Sequence, residues 1–283
     1  MSYLSIDPKE TATARLHALL QGAIAPRPIA FASTMDKNGM VNLSPFSFFN
    51  LFSTNPPILI FSPSRRVRDN TVKHTLENVL DFPEVVINIV SYAMVEQASL
   101  ASCEYPKGVN EFVKAGFTEL PSLKVKPPRV AESPASFECK VNQVIPLGTE
   151  GGAGNLVVCE VLLAHFSEAI LDAQGNVDPQ KLDAVARMGG DYYCRAQGEN
   201  IFTVPKPNAH LGIGFDQLPE EIRNSKILSG NDLARLANRD QIPGGEVKRE
   251  SAANSDSLHR VAKKLLDEGK VAEAWQLLVG RAS

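Results

Sequence analysis

Between Pro28 and Leu171 the apolar residues fall in short runs separated by turn residues. Ile29–Met35 (IAFASTM), Ile58–Pro63 (ILIFSP), Glu84–Val90 (EVVINIV), Ser136–Gly148 and Asn155–Phe166 are rich in β-branched and aromatic residues, which suit a pleated, half-buried surface. Each is bounded by turn-forming residues, so each predicts a strand. The DKNG stretch after Met35 predicts a hairpin turn, because Asn-Gly adopts positive φ readily. Several strands at short spacing predict a barrel or sandwich in place of a βαβ fold.

Helical spacing appears in Asp69–Val79, in Tyr92–Ser102 and, more briefly, in Asn110–Phe117, with Asp69 or Asn70 as the expected N-cap of the first. From about Val204 the character changes to a Pro- and Gly-marked connector, and a domain boundary is expected at Pro205–Pro207. This divides the chain into a mainly β domain, residues 1–205, and a helical C-terminal extension, residues 206–283. In the extension, Leu258, Val261, Leu265, Val271, Ala274 and Leu277 predict two short amphipathic helices interrupted at Gly269. The glycine-rich stretch Gly148–Asn155 (GTEGGAGN) reads as a mobile hairpin loop.

Composition narrows the function classes. A net charge of -3 gives no global basic field for nucleic acid, so no nucleic-acid partner is expected. No apolar run is long enough for a membrane helix, and no export signal opens the chain; the expectation is a cytoplasmic protein with no membrane partner. Cys103, Cys139, Cys159 and Cys194 are widely spaced, and His17, His74, His165, His210 and His259 are scattered singly, so no metal site is expected. Neither a phosphate-loop nor a dinucleotide fingerprint is present, and no nucleophile–base pair stands out, so no side chain is nominated as catalytic.

The remaining candidate chemistry lies in Asn42–Thr71, NLSPFSFFNLFSTNPPILIFSPSRRVRDNT. Ser44 and Ser47 with nearby backbone amides can donate to ring carbonyls and nitrogens, and Phe46, Phe48 and Phe49 can supply apolar walls. Arginines and Thr71 at the start of a helix could take a phosphate. Together they suit a mononucleotide with a flat aromatic head. Plain core packing of the phenylalanines accounts for the same pattern equally simply.

RPIAFASTMDKNGMVNLSPFSFFNLFSTNPPILIFSP, followed by RDNT, EVVINIV, KPPRVAESPASFECKV and DPQKLDAVARMGGDYY, resembles the flavin reductase-like family with the FMN-binding split barrel, over Ala25 to about Phe202. The resemblance implies a six-stranded Greek-key split β-barrel with added helices, in a homodimer holding flavin near the subunit interface. It implies FMN as cofactor, with FAD possible, and NADH or NADPH as reductant. By position the flavin-side residues are Arg27, Ser33, Thr34, Asn42, Ser44, Pro45, Phe46, Ser47, Phe48 and Asn50. Ser62, Arg65, Arg68, Asp69, Asn70 and Thr71 match the phosphate side, and Gly189, Gly190 and Tyr192 match a late motif near the pocket. Where the family often reads Lys-Asp-Thr, Arg68-Asp69-Asn70-Thr71 is one residue longer, so Asn70 and Thr71 are both candidates. The implied activity is hydride transfer from nicotinamide to flavin, as an NAD(P)H:flavin oxidoreductase and reductase component of a monooxygenase. An electron carrier or sensor with permanently bound FMN would need the same pocket.

Overall fold

The computed structural model describes residues 2–205, 211–243 and 255–279. The chain divides into two compact units, Met1–Phe202 and Thr203–Ser283. Pro207 at the expected boundary, and His210, lie outside the described residues.

Unit 1 is built on a seven-stranded antiparallel sheet. Its strands are β1 (Ala30–Met35), β2 (Val41–Phe46), β3 (Phe49–Thr54), β4 (Pro57–Phe61), β5 (Glu84–Ile89), β8 (Ala135–Pro146) and β9 (Asn155–Phe166). Two short ribbons complete the β structure: β6 (Glu119–Leu120) with β7 (Arg129–Val130), and β10 (Val185–Arg187) with β11 (Tyr193–Arg195). The sheet order is β2-β1-β5-β8-β9-β4-β3. Its two outermost strands are consecutive in sequence and separated only by Ser47 and Phe48, so the two ends of the sheet meet at one bend. The sheet therefore counts seven strands where six were expected, with Val41–Thr54 contributing one on each side of the bend.

Strands β1 and β5 read as continuous apolar runs because both of their faces are covered. One face joins a core with Phe46, Phe61, Val85, Ile87, Cys139, Val157 and Cys159. The other packs Phe31 with Leu43, Met94, Phe112 and Phe117, the last two from or just after α4 (Glu111–Ala115). The hairpin at DKNG is present, with Gly39 at φ 84 and Asp36 Oδ1 accepting from the Asn38 and Met40 amides.

The first helix, α1 (Thr13–Ala23), was not expected; it buries no residue, and so its sequence carries little apolar periodicity. Helix α2 spans His74–Asp81, later than Asp69–Val79, and its N-cap is Lys73 with no side-chain cap. Asp69 and Asn70 therefore do not cap it. Helix α3 (Val95–Leu100) falls in the Tyr92–Ser102 stretch, α4 is capped by the Asn110 side chain, and α5 (Pro179–Leu182) by Asp178.

Unit 2 contains α6 (Glu220–Arg223), α7 (Gly230–Ala237), α8 (Ser255–Asp267) and α9 (Val271–Val279). Helices α8 and α9 are the pair expected on either side of Gly269, which has φ 77. Their apolar faces close on Ile222, Leu236, Ala262, Leu266, Trp275 and Leu278, and the Trp275 indole donates to the Leu236 carbonyl at 3.0 Å. No helix among the described residues is long and apolar enough to cross a membrane.

Candidate functional site

The basic loop, residues 62–73, leaves β4 and is fastened to the β8–β9 hairpin loop. The Asn155 amide donates to Ser62 Oγ at 3.0 Å, Arg65 N donates to the Ala153 carbonyl, and Gly152 N donates to the Arg65 carbonyl. A Cβ on Gly154 would stand 2.7 Å from Ser62 Oγ, and one on Gly151 would stand 3.0 Å from the Arg66 carbonyl oxygen. The glycine stretch expected to be a mobile loop is thus a closely fitted buttress, and its glycines permit the approach.

Within the loop, Arg65 is spent on architecture. Its Nε and Nη2 donate to the Asn70 side-chain and main-chain oxygens at 2.6 and 2.8 Å, while Asn70 sits at φ 58 and donates to the Thr149 carbonyl. Asp69 Oδ1 accepts from the Thr71 amide and hydroxyl, and those bonds pull its pKa down to about 2. Arg66 donates from Nη1 to Thr71 Oγ1 and the Val72 carbonyl. Its Nε reaches Glu104 Oε1 at 3.0 Å, and Arg68 Nη2 reaches Glu104 Oε2 at 2.9 Å. Thr71 precedes α2 by three residues, so it does not stand at the helix start expected of it.

The residues at the start of α2 are Lys73, His74 and Thr75. They repeat the Lys-x-Thr spacing that the sequence reading had set against Arg68–Thr71, and with them no extra residue is needed. The Lys73 side chain is half-buried, its Nζ 3.4 Å from Ser44 Oγ and 5.3 Å from the Phe46 ring centre. Among the described residues it makes no salt bridge with a carboxylate; burial, then the nearby Arg66 charge, lowers its pKa. The Thr75 hydroxyl donates to Asn42 Oδ1 at 2.7 Å, and Asn42 Nδ2 donates to Glu111 Oε1 at 2.9 Å. Glu111 Oε2 accepts from Leu43 N, and burial raises the carboxyl pKa. Asn42, Ser44, Arg66, Lys73, Thr75 and Glu104 line a cleft of about 30 Å³. That volume suits a small anion.

The other nominated residues are dispersed around this cleft. Pro45 and Ser47 are half-buried, Phe46 stacks on Phe61 in the core with centroids 5.3 Å apart, and Asn50 is exposed. Phe48 is exposed and meets His17 of α1 edge-on at 6.2 Å. Ser33 and Thr34 are fully buried in β1, where Thr34 Oγ1 accepts from Asn78 Nδ2. Arg27 is buried and donates to the Gln21, Ile24 and Met188 carbonyls, tying α1 to the chain after β10. A Cβ on Gly189 would stand 2.8 Å from the Gly22 Cα, the Gly190 carbonyl accepts from Arg187, and Tyr192 is exposed; none of them lines the cleft. Arg66, Lys73, Thr75, Glu104 and Glu111 also line the cleft and are not among the residues the sequence nominated. The Lys-x-Thr spacing at Lys73–Thr75 was the one signal that could have found two of them.

The profile of the flavin reductase like domain matches residues 23–179. A protein of Aquifex aeolicus is 42% identical over 191 residues, covering 68% of this chain and 95% of its own. Nitrilotriacetate monooxygenase component B from Bacillus cereus superposes with a TM-score of 0.67 at 29% identity, over 72% of this chain and 100% of its own. The 2-nitrobenzoate 2-nitroreductase of Pseudomonas fluorescens superposes with a TM-score of 0.63 at 26% identity, over 71% and 96%. The matched span contains the bend at Ser47, the basic loop and the start of α2, and the chain belongs to the flavin reductase-like family of split-barrel proteins.

Proposed function

We propose that this protein is an NAD(P)H:flavin oxidoreductase that binds FMN with its phosphate at Lys73 and Arg66. The carrying observation is Lys73: a half-buried ammonium beside a guanidinium, without a carboxylate salt bridge among the described residues. Two neighbouring cations at a small cleft favour a dianion, and a phosphate monoester carries about -1.5 to -2 at pH 7. The donor set therefore fits a phosphorylated flavin. In this reading the amides at the Ser47 bend donate to the ring's polar edge, and Phe48 offers an apolar surface beside them. FAD would place its first phosphate in the same cleft.

The flavin, when bound, supplies the hydride-accepting ring. The chain's own contribution is to position the ligand, exclude water and donate hydrogen bonds to charge that develops on the ring edge. No side chain is assigned as a general acid or base. Leu51 and Phe52 of β3 are exposed close to the bend, and in the fuller reading a second copy of this cytoplasmic chain covers them. On that reading Val41–Thr54 counts as one bent strand of a six-stranded Greek-key barrel, and residues 206–283 form an extension to it.

The likeness to a monooxygenase component B favours delivery of reduced flavin to a partner oxygenase. The likeness to a nitroreductase favours a second reading, in which FMN stays bound and passes electrons to another acceptor. Oxidation of NADH and of NADPH with free FMN as acceptor separates them. Rapid turnover that rises with added FMN supports the reductase, and turnover independent of added FMN, with the protein isolated yellow, supports the resident cofactor.

A further inference from the structure

Glu104 lies between α3 and α4, on a different segment from the basic loop, yet its two carboxylate oxygens bridge Arg66 Nε at 3.0 Å and Arg68 Nη2 at 2.9 Å. One anion clasped by two guanidiniums is the arrangement a phosphate would adopt at the same place. Arg66 and Lys73 line the cleft with Glu104 and Glu111, and Arg68 and Asp69 stand outside it on the basic loop, Arg68 reaching Glu104. Glu111 is held by Asn42 and the Leu43 amide, and Asp69 by the Thr71 amide and hydroxyl at Oδ1 and by Arg68 at Oδ2. Among the described residues Glu104 is held by the two arginines alone, and half of its side chain is exposed. It is the carboxylate of the three that can leave without breaking the loop or the β2–α4 contact.

We propose that Glu104 is a built-in counter-ion of the flavin phosphate site: it occupies the arginine pair in the ligand-free protein and is displaced by the phosphate. This rests on the phosphate reading of the cleft given above. The displacement makes Glu104 a specificity-determining residue. A neutral flavin gains nothing by displacing it, a singly charged group merely replaces one charge with another, and a dianionic monoester gains a second charge against Arg66, Arg68 and Lys73. Because the pair is solvent-exposed and screened, the effect is modest, on the order of three- to tenfold in affinity.

The test compares wild type, Glu104→Gln and the control Glu77→Gln, which removes an equal charge from the separate Lys107 salt bridge. Fluorescence titration gives FMN and riboflavin dissociation constants, and thermal melting at constant ionic strength is followed with and without inorganic phosphate. The expected result is that Glu104→Gln tightens FMN by about three- to tenfold, leaves riboflavin unchanged and enlarges the phosphate-induced rise in Tm, while Glu77→Gln does none of these. A purely structural Glu104 would instead lower Tm with and without phosphate and weaken both flavins, and that overturns the proposal. So does FMN affinity that fails to rise. If wild type binds neither flavin, the flavin reading fails separately, and the phosphate melts alone decide the counter-ion role.

Discussion

The Thr75 hydroxyl donates to Asn42 Oδ1 at 2.7 Å, and both residues are buried. Through Asn42 Nδ2 the same chain of bonds continues to Glu111 on α4, so one amide side chain joins β2, the start of α2 and α4. The side wall of the cleft is therefore held by the protein's own hydrogen bonds.

Replacing Thr75 with Val keeps the shape but leaves Asn42 Oδ1 buried without its donor. The expected cost is about 1–3 kcal/mol of stability, read as a lower Tm or a lower urea midpoint. A variant that melts like wild type would show that the bond contributes nothing.

Gly154→Ala places a methyl group 2.7 Å from Ser62 Oγ, which cannot turn away freely because it accepts from the Asn155 amide. The expected loss is about 1–3 kcal/mol. The double variant Ser62→Ala/Gly154→Ala removes the clashing oxygen, so its loss is smaller than the sum of the two single losses. Strict additivity would place the strain elsewhere.

How much of this was legible before the structure follows from where each residue's partners come from. Strands β1, β4, β5, β8 and β9 announced themselves because β-branched runs carry their own signal. The Val41–Thr54 segment did not read as two strands, because Ser, Pro and Asn interrupt its apolar pattern. Helix α2 was placed too early: Asp69 and Asn70 are good capping residues, but here Asp69 closes a turn on Thr71 and Asn70 takes a positive φ. Sequence cannot show that Asn70, five residues on, takes the Nε–Nη2 edge of the Arg65 guanidinium. Lys73 was overlooked as well. A lone lysine ahead of a helix looks solvated, and its burial comes from Phe46, Ser44 and Arg66 on other segments.

The lowered pKa of Lys73 gives a pH signature. The protonated form is disfavoured in the folded protein, first by burial and then by Arg66, with Glu104 and Glu111 opposing, so its charge is lost below the ordinary lysine value of 10.5. A base whose native pKa is depressed makes stability rise with pH across that window, because the unfolded chain binds the proton more tightly. Phosphate binding runs the other way and needs the proton. The ratio of FMN to riboflavin affinity should therefore fall as pH rises toward 10.5, and Lys73→Arg should carry the fall to higher pH. A ratio flat to pH 10.5 in wild type would mean that Lys73 does not bear on the phosphate.

The most direct measurement is the pair of dissociation constants for FMN and riboflavin in wild type and Lys73→Met at neutral pH, by flavin fluorescence quenching. Methionine preserves the apolar stem over Phe46 and removes only the charge and its donors. The predicted result is FMN weakened by about 10- to 100-fold, the worth of a charge-assisted bond, with riboflavin binding unchanged. Equal losses for the two flavins, or no loss for either, would contradict the assignment of this cleft as the flavin phosphate site.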